Sequence, residues 1–264
     1  MNRLAVHQSV VHPRDAHQLT ELLSGSDWDS VGLHVGGTDE VEHWWSGGAG
    51  ERNLARLVDL LLETRVTVLD VGRVELGSSL PRDVYAPHGR VLDLAARFGA
   101  RYVTARFAST DAPVERPLTE RIDVFGQLLD QARPYRVTPL LAPVPADRPD
   151  LVADALEVVR ATGGGVVLDV PVSRCTPAEV EAWVDSLWEH LGYVRLSARQ
   201  LEAEGDAAAG LLATLPPHVP VAVGGDDSLG LLADDPAPRL ERLHELVDTA
   251  LEHPRARARR LNGS

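Results

Sequence analysis

The sequence predicts a single (β/α)8 barrel. Short apolar runs alternate with amphipathic helical stretches along the chain, the pattern of a parallel α/β fold. Eight such pairs can be marked out, and 264 residues is close to the roughly 250 usual for one barrel. No linker rich in Pro, Gly or Ser marks a second domain. The expected division is therefore a barrel over residues 1–253 and a flexible Arg-rich tail over 254–264, HPRARARRLNGS being the closing stretch.

The first strand is read over residues 4–10, LAVHQSV, and includes His7. A helix from Asp15 carries Leu19, Leu22 and Leu23 on one face. The second strand, residues 30–35, ends near His34. A Gly-rich loop with Trp44 and Trp45 follows. Adjacent tryptophans cannot both pack on one helix face, so they form either a lid or pocket wall, or one of them buries against the barrel rim. Residues 51–64 form a helix with Leu54, Leu57, Val58, Leu61 and Leu62 apolar. The third strand, residues 66–71, places Asp70, Arg73 and Glu75 at or past its end. A helix over 91–98 precedes the fourth strand, residues 101–107, with Arg106 near its end. His12, His17 and His88 are read as surface residues.

A helix over 118–133 leads to the fifth strand, residues 137–144. Pro139 and Pro143 are unusual inside a parallel strand and predict that it is short or bulged. A helix over 151–162 leads to GGGVVLDVPVSRCTPAEVEAWV. Here Val166, Val167 and Leu168 make an all-apolar run, as expected for a strand buried on both faces, and Asp169 follows at once. Thr176, Pro177 and Glu179 spell a capping box with Pro in the first turn. The seventh strand, YVRLS, covers residues 193–197 and contains Arg195. A helix ends before Pro216, the eighth strand spans 219–223, and the last helix spans 238–251.

Composition narrows the function. The net charge of −13 repels phosphate backbones, so no nucleic-acid partner is expected. No apolar run approaches the about 20 residues of a membrane span, and the first residues lack the apolar centre of a signal peptide; the expected location is cytoplasmic. The single cysteine, Cys175, excludes an internal disulfide and has no His near it in sequence, which makes it a bystander rather than a nucleophile. All 26 basic residues are Arg. Without a lysine amine the chain cannot form a Schiff base, which excludes lysine-type aldolases and ordinary pyridoxal-phosphate enzymes.

Several segments resemble the xylose isomerase-like barrel superfamily: GVVLDVPVSRCTPAEVEAW at the sixth unit, AARFGARYV entering the fourth strand, YVRLSA at the seventh, and LPPHVPVAVGG at the eighth. That group includes sugar-phosphate isomerases and epimerases, inosose and dehydroshikimate dehydratases and hydroxypyruvate isomerase. The resemblance implies a divalent metal at the ends of strands five to eight. Its ligands would be a Glu on the fifth, an Asp with a His three residues on from the sixth, a His or Gln on the seventh and a Glu on the eighth. Matched strand by strand, this chain offers Ala142 or Pro143, then Asp169 with Val172, then Arg195 with Ala198 nearby, then Gly224. One carboxylate remains and a permanent cation enters, whereas hard divalent ions need several oxygen or imidazole ligands. The expectation is that this metal site is lost and that no cofactor is used, the alternative being a relocated site at His7, His34, or Asp226 and Asp227.

Two function classes remain. The first is a metal-independent isomerase, epimerase or lyase, placed in a biosynthetic pathway, acting by proton transfer on a small polar carbonyl or anionic compound. His7, His34 and Asp169 would be catalytic, with a histidine as base. Asp70, Arg73, Glu75, Arg106, Arg195, Arg199, Trp44 and Trp45 would bind substrate. Arg195 and Asp169 would pair across adjacent strands. The second is an inactive barrel that binds a ligand or partner. The oligomeric state is open, a homodimer included.

Overall fold

The computed structural model describes residues 4–11, 16–35, 47–77, 79–82, 86–107, 116–225 and 236–252. Eight parallel strands close into a barrel in sequential order. They are β1 (Leu4–His7), β2 (Ser30–His34), β3 (Thr67–Leu76), β4 (Tyr102–Phe107), β5 (Thr138–Pro145), β6 (Gly165–Asp169), β7 (Leu191–Ser197) and β8 (Val221–Gly224). The ring is completed where β1 pairs with β8, Ala5 opposite Ala222. The helices lie outside: α1 (Ala16–Leu23), α2 (Gly47–Thr64), α3 (Pro87–Arg97), α4 (Leu118–Ala132), α5 (Pro149–Thr162), α6 (Pro177–Leu187), α7 (Ala198–Ala203), α8 (Gly205–Leu212) and α9 (Ala237–Leu251). Among the described residues no helix is long and apolar enough to cross a membrane.

The alternation of side chains along a strand divides the core in two. Ala5, Leu69, Tyr102, Leu140, Val167 and Tyr193 pack together inside the barrel. Their sequence neighbours Val6, Val68, Val103, Leu141, Leu168 and Val194 face the helices and join a larger cluster with Leu57, Leu92, Phe125 and Val158. Burying each such aliphatic side chain is worth about 1.5–3 kcal/mol. Because the floor of the barrel is filled, polar side chains collect at the C-terminal ends of the strands.

Several elements differ from the sequence reading. The first strand stops at His7, whose side chain caps a 3-10 turn over Gln8–Val10. The third runs on to Leu76, so Asp70, Arg73 and Glu75 lie within it rather than past its end. The fifth, at eight residues, is bulged rather than short: its register shifts between Leu141 and Val144, around Pro143, while Pro139 stays in register opposite Val103. His88 is not on the surface. Helix α3 starts at Pro87, earlier than the apolar pattern suggests, which puts His88 on its buried first turn. There its Nε2 lies 3.0 Å from both Pro81 O and Gln131 Oε1.

The unit around Asp169 follows the sequence closely. Gly163 ends α5 at φ 84°, a conformation that costs glycine little. The Thr176 capping box is present: Thr176 Oγ1 accepts from Glu179 N at 3.3 Å, and Glu179 Oε2 accepts from Thr176 N at 2.8 Å. Thr176→Ala is expected to lower stability by about 1 kcal/mol, the usual value of an N-cap. Urea denaturation with an unchanged slope would show the loss to be local to the cap.

Candidate active site

The inward positions at the strand ends bring a set of ionisable groups together, beginning with Asp70. The β2–β3 register skips a residue, pairing Val31 with Val68 and then Gly32 with Asp70. This irregularity lets Leu69 and Asp70 both turn inward, against strict alternation. Space for the carboxyl comes from Gly32: a Cβ there would lie 2.5 Å from Asp70 Oδ1 and 2.6 Å from His7 Cδ2. Asp70 is 2% exposed. Burial pushes its carboxyl up to about 7, against a lowering by a hydrogen bond from Tyr193 and by the charge of Arg195. Burial likewise drives the Tyr193 phenol well above its ordinary value, so it stays a donor.

His7 has a defined tautomer. Ser9 N donates to His7 Nδ1 at 3.2 Å, and a backbone N–H can only donate. Ser9 Oγ lies 2.8 Å from the same nitrogen and itself accepts from Gly225 N at 2.9 Å. Nδ1 is therefore the acceptor, and the ring proton sits on Nε2. Burial holds the imidazole well below its usual range, helped by His34, Arg195 and Arg73. With Nδ1 engaged in this way, His7 presents its Nε2–H as a hydrogen-bond donor. The His34 ring meets it edge to face, centroids 5.9 Å apart.

Asp169 and Arg195 lie opposite each other on β6 and β7. Arg195 Nε donates to Asp169 Oδ1 at 2.7 Å, so the pair anticipated from the sequence is formed. The arginine stem packs where Gly224 has no side chain: a Cβ at 224 would lie 3.3 Å from Arg195 Cδ. Both residues line a pocket of about 240 Å³ with Ser197, Gln200 and Gly224. Asp169 is engaged as the partner that orients a guanidinium, rather than as a free acid or base.

Other candidates form a rim. Glu75 Oε1 accepts from Arg73 Nε at 3.1 Å and from Arg106 Nε at 2.7 Å, so one carboxylate links β3 and β4. Arg73 is close enough for its charge to depress His7, whereas Arg106 is exposed and faces a groove toward α4 and α5. Arg199 is exposed on the first turn of α7 and does not line the pocket. Trp44 and Trp45 lie outside the described residues, as do His12, Asp226, Asp227 and the tail over 254–264. The Cys175 thiol is pushed up to about 11, by burial first and by Asp147 and Glu179 next, which keeps it an unreactive thiol at neutral pH. Tyr193 and Gln8 were missed from the sequence. The sequence places Tyr193 only as the first residue of the seventh strand, and Gln8 as strand rather than in the turn from which its Oε1 accepts the His34 backbone N–H at 3.0 Å.

The metal that the resemblance implies does not fit these residues. Ala142 and Gly224 offer no ligand atom, Arg195 brings a positive charge, Val172 is buried apolar, and Asp169 already holds Arg195. Among the described residues no three His, Cys, Asp or Glu side chains are grouped to hold an ion.

Asp70 and His7 predict opposite pH effects on stability. Asp70 is raised in the fold, so the native state holds the extra proton and its contribution is lost as pH rises from 3.8 to about 7. His7 is lowered, so its contribution is present above 6.5 and is lost as pH falls below that. Relative to the parent chain, Asp70→Asn should therefore gain stability as pH rises from about 4 to about 7 and stay level beyond. Urea unfolding across that range measures the difference; a constant offset would mean that Asp70 is not raised.

No family model matches the chain, and no curated protein matches it in sequence. Solved structures do. The IolI protein, solved with a bound zinc atom, superposes with a TM-score of 0.65 at 14% identity over 94% of this chain and 99% of that one. D-psicose 3-epimerase, solved in the presence of D-fructose, gives 0.60 at 11% over 96% and 98%. The 3-keto-D-glucoside 4-epimerase of E. coli gives 0.60 at 12% over 94% and 100%. The closed parallel barrel and these superpositions together show that the chain shares the (β/α)8 barrel fold of those proteins.

Proposed function

We propose that this barrel is a metal-independent enzyme of the isomerase or epimerase type, acting by proton transfer beside the carbonyl of a small polar compound. The observation that carries the reading is the placement of Arg195. Its guanidinium is held by Asp169 at 2.7 Å in the mouth, where a metal-bearing barrel would present its cation. The two epimerases of the same fold support the reaction class.

Each role follows from the state of its group. Asp70, balanced near neutrality, takes a proton from the carbon next to the carbonyl. The electron pair of that C–H bond forms a C=C bond to the carbonyl carbon, and the π pair of the carbonyl moves to its oxygen. The Arg195 guanidinium and the His7 Nε2–H meet the developing charge there. A neutral imidazole serves here as a donor that need not lose its proton. His34, beside His7, is the second acid or base and returns a proton to the product.

The test is exchange of substrate carbon-bound hydrogen with deuterated water, followed by NMR over a panel of small ketoses, aldoses and their acids, with a chelator present. Exchange is expected without added metal, and Asp70→Asn should slow it by roughly 10²-fold or more, the scale of a lost general base. Exchange that requires an added divalent ion, or that survives Asp70→Asn, would overturn the proposal. Binding without exchange would point to the alternative of a ligand-binding barrel.

A further inference from the structure

We infer that the pocket between the ends of β6, β7 and β8 is a subsite for an oxyanionic group of the substrate, a phosphate monoester or a carboxylate. The inference rests on the proposed function and adds which end of the substrate is held, and by what. It begins with donors and acceptors. Apart from Asp169, the charged and polar side chains lining the pocket are Arg174, Arg195, Ser197 and Gln200. Guanidinium groups only donate. Gln200 Oε1 is already taken by Val172 N at 3.0 Å, so its amide NH2 is the end that can serve a ligand. Ser197 Oγ accepts from Gln200 N at 3.4 Å, so its hydroxyl hydrogen is the part left to donate. Asp169 accepts from Arg195.

A wall that presents donors selects a ligand group that only accepts. A sugar hydroxyl both donates and accepts, and would find one charged acceptor here, Asp169, itself shared with Arg195, against four donor-bearing side chains. A metal cation would face the same donors and two guanidiniums. An ionised phosphate ester or carboxylate matches all four, and charge-assisted bonds to it are the stronger kind. Two guanidiniums and one carboxylate line the pocket, and Asp147 against Arg174 brings the local sum to zero in a chain of net charge −13. An anion is repelled by most of the surface and meets here a place without net negative charge where N–H groups face it. Arg174 stands at the entry, its side chain 69% exposed and its NH1 2.9 Å from Asp147 Oδ2, and Asp147 does not line the pocket. At about 240 Å³ the pocket suits a small metabolite rather than a drug-sized ligand.

The substrate would then lie across the mouth, its anionic end at Arg174, Ser197 and Gln200 and its carbonyl toward His7 and Asp70. Arg195 touches both regions. It lines the pocket, and its charge is felt at His7 and Asp70.

Glycerol 3-phosphate, glycerate and glycerol test this directly by calorimetry on the full chain, because they differ mainly in the terminal group. At least one of the two anions should bind about tenfold or more tightly than glycerol, the scale of hydrogen bonds to a charged group. Whichever anion binds more tightly identifies the source. Arg174→Gln should remove most of the preference. Gln200→Glu keeps an acceptor for Val172 N but replaces the donor with a negative charge, and should abolish it. Arg148→Gln, at an exposed pair with Asp150 outside the pocket, should change nothing. Equal binding of all three compounds, no binding of either anion, or a preference that survives both pocket variants would overturn the inference. Anion preference without proton exchange leaves the subsite standing and removes the catalytic reading; exchange on neutral sugars that ignores both variants does the reverse.

Discussion

The mouth of the barrel depends on one ion pair between adjacent strands, Arg195 to Asp169. Both side chains are about a third exposed, at 30% and 31%, so solvent screens the attraction and little net stability is expected of it. Its consequence is orientation. A long arginine stem has many rotamers, and fixing Nε on a carboxylate at the same level of the sheet restricts the planar group to few of them. The strand register supplies that carboxylate without any loop having to move, since Asp169 and Arg195 are paired residues of the ladder. A lysine could neutralise Asp169 but could not present a plane.

Burial sets the states of the other groups, and it acts on both in the same direction. Desolvation disfavours a charge of either sign, so Asp70 is raised and His7 is lowered by the same low-dielectric surroundings. The interior therefore tends toward neutral groups around one fixed cation. Hydrogen bonding then assigns the protons. Ser9 N and Oγ hold Nδ1 of His7 as an acceptor, and Gly225 N holds Ser9 in turn, so the loop after β8 determines which imidazole nitrogen on β1 carries hydrogen.

The architecture was legible in the sequence because the signals that set it are local: apolar runs, helical periodicity, and the Thr176–Glu179 cap. The Asp169–Arg195 pair is anticipated by the sequence, but the face of Arg195 turns on the register: one residue of slip would send it outward, and the β6–β7 ladder does shift between Val166 and Val167. Asp70 was placed at a strand end and read as a substrate contact. Its burial depends on a skipped residue between β2 and β3 and on the absence of a side chain at Gly32, and both are properties of neighbours far away in the chain. His7 shows a similar dependence: a free imidazole near neutral pKa reads as a base, and the turn over Gln8–Val10 shows that one ring nitrogen already accepts a hydrogen bond. Arg199 was expected beside Arg195, but a helix begins at Ala198 and turns it outward.

The residues that fail to be metal ligands behave as one device rather than as separate losses. Arg195 rests against Gly224, with a Cβ at that position only 3.3 Å from its stem, so a glutamate there would have to displace the arginine or be displaced by it. Ala142 on the inner wall of β5 leaves the opposite side equally short of bulk and of charge. A carboxylate restored at 224 alone would meet a guanidinium already committed to Asp169 and would pair with it. Among the described residues, the ligand set that the resemblance implies would need the arginine to leave and carboxylates or imidazoles to return at several strand ends together. The missing side chain at Gly224 is thus what leaves room for the arginine stem in this mouth.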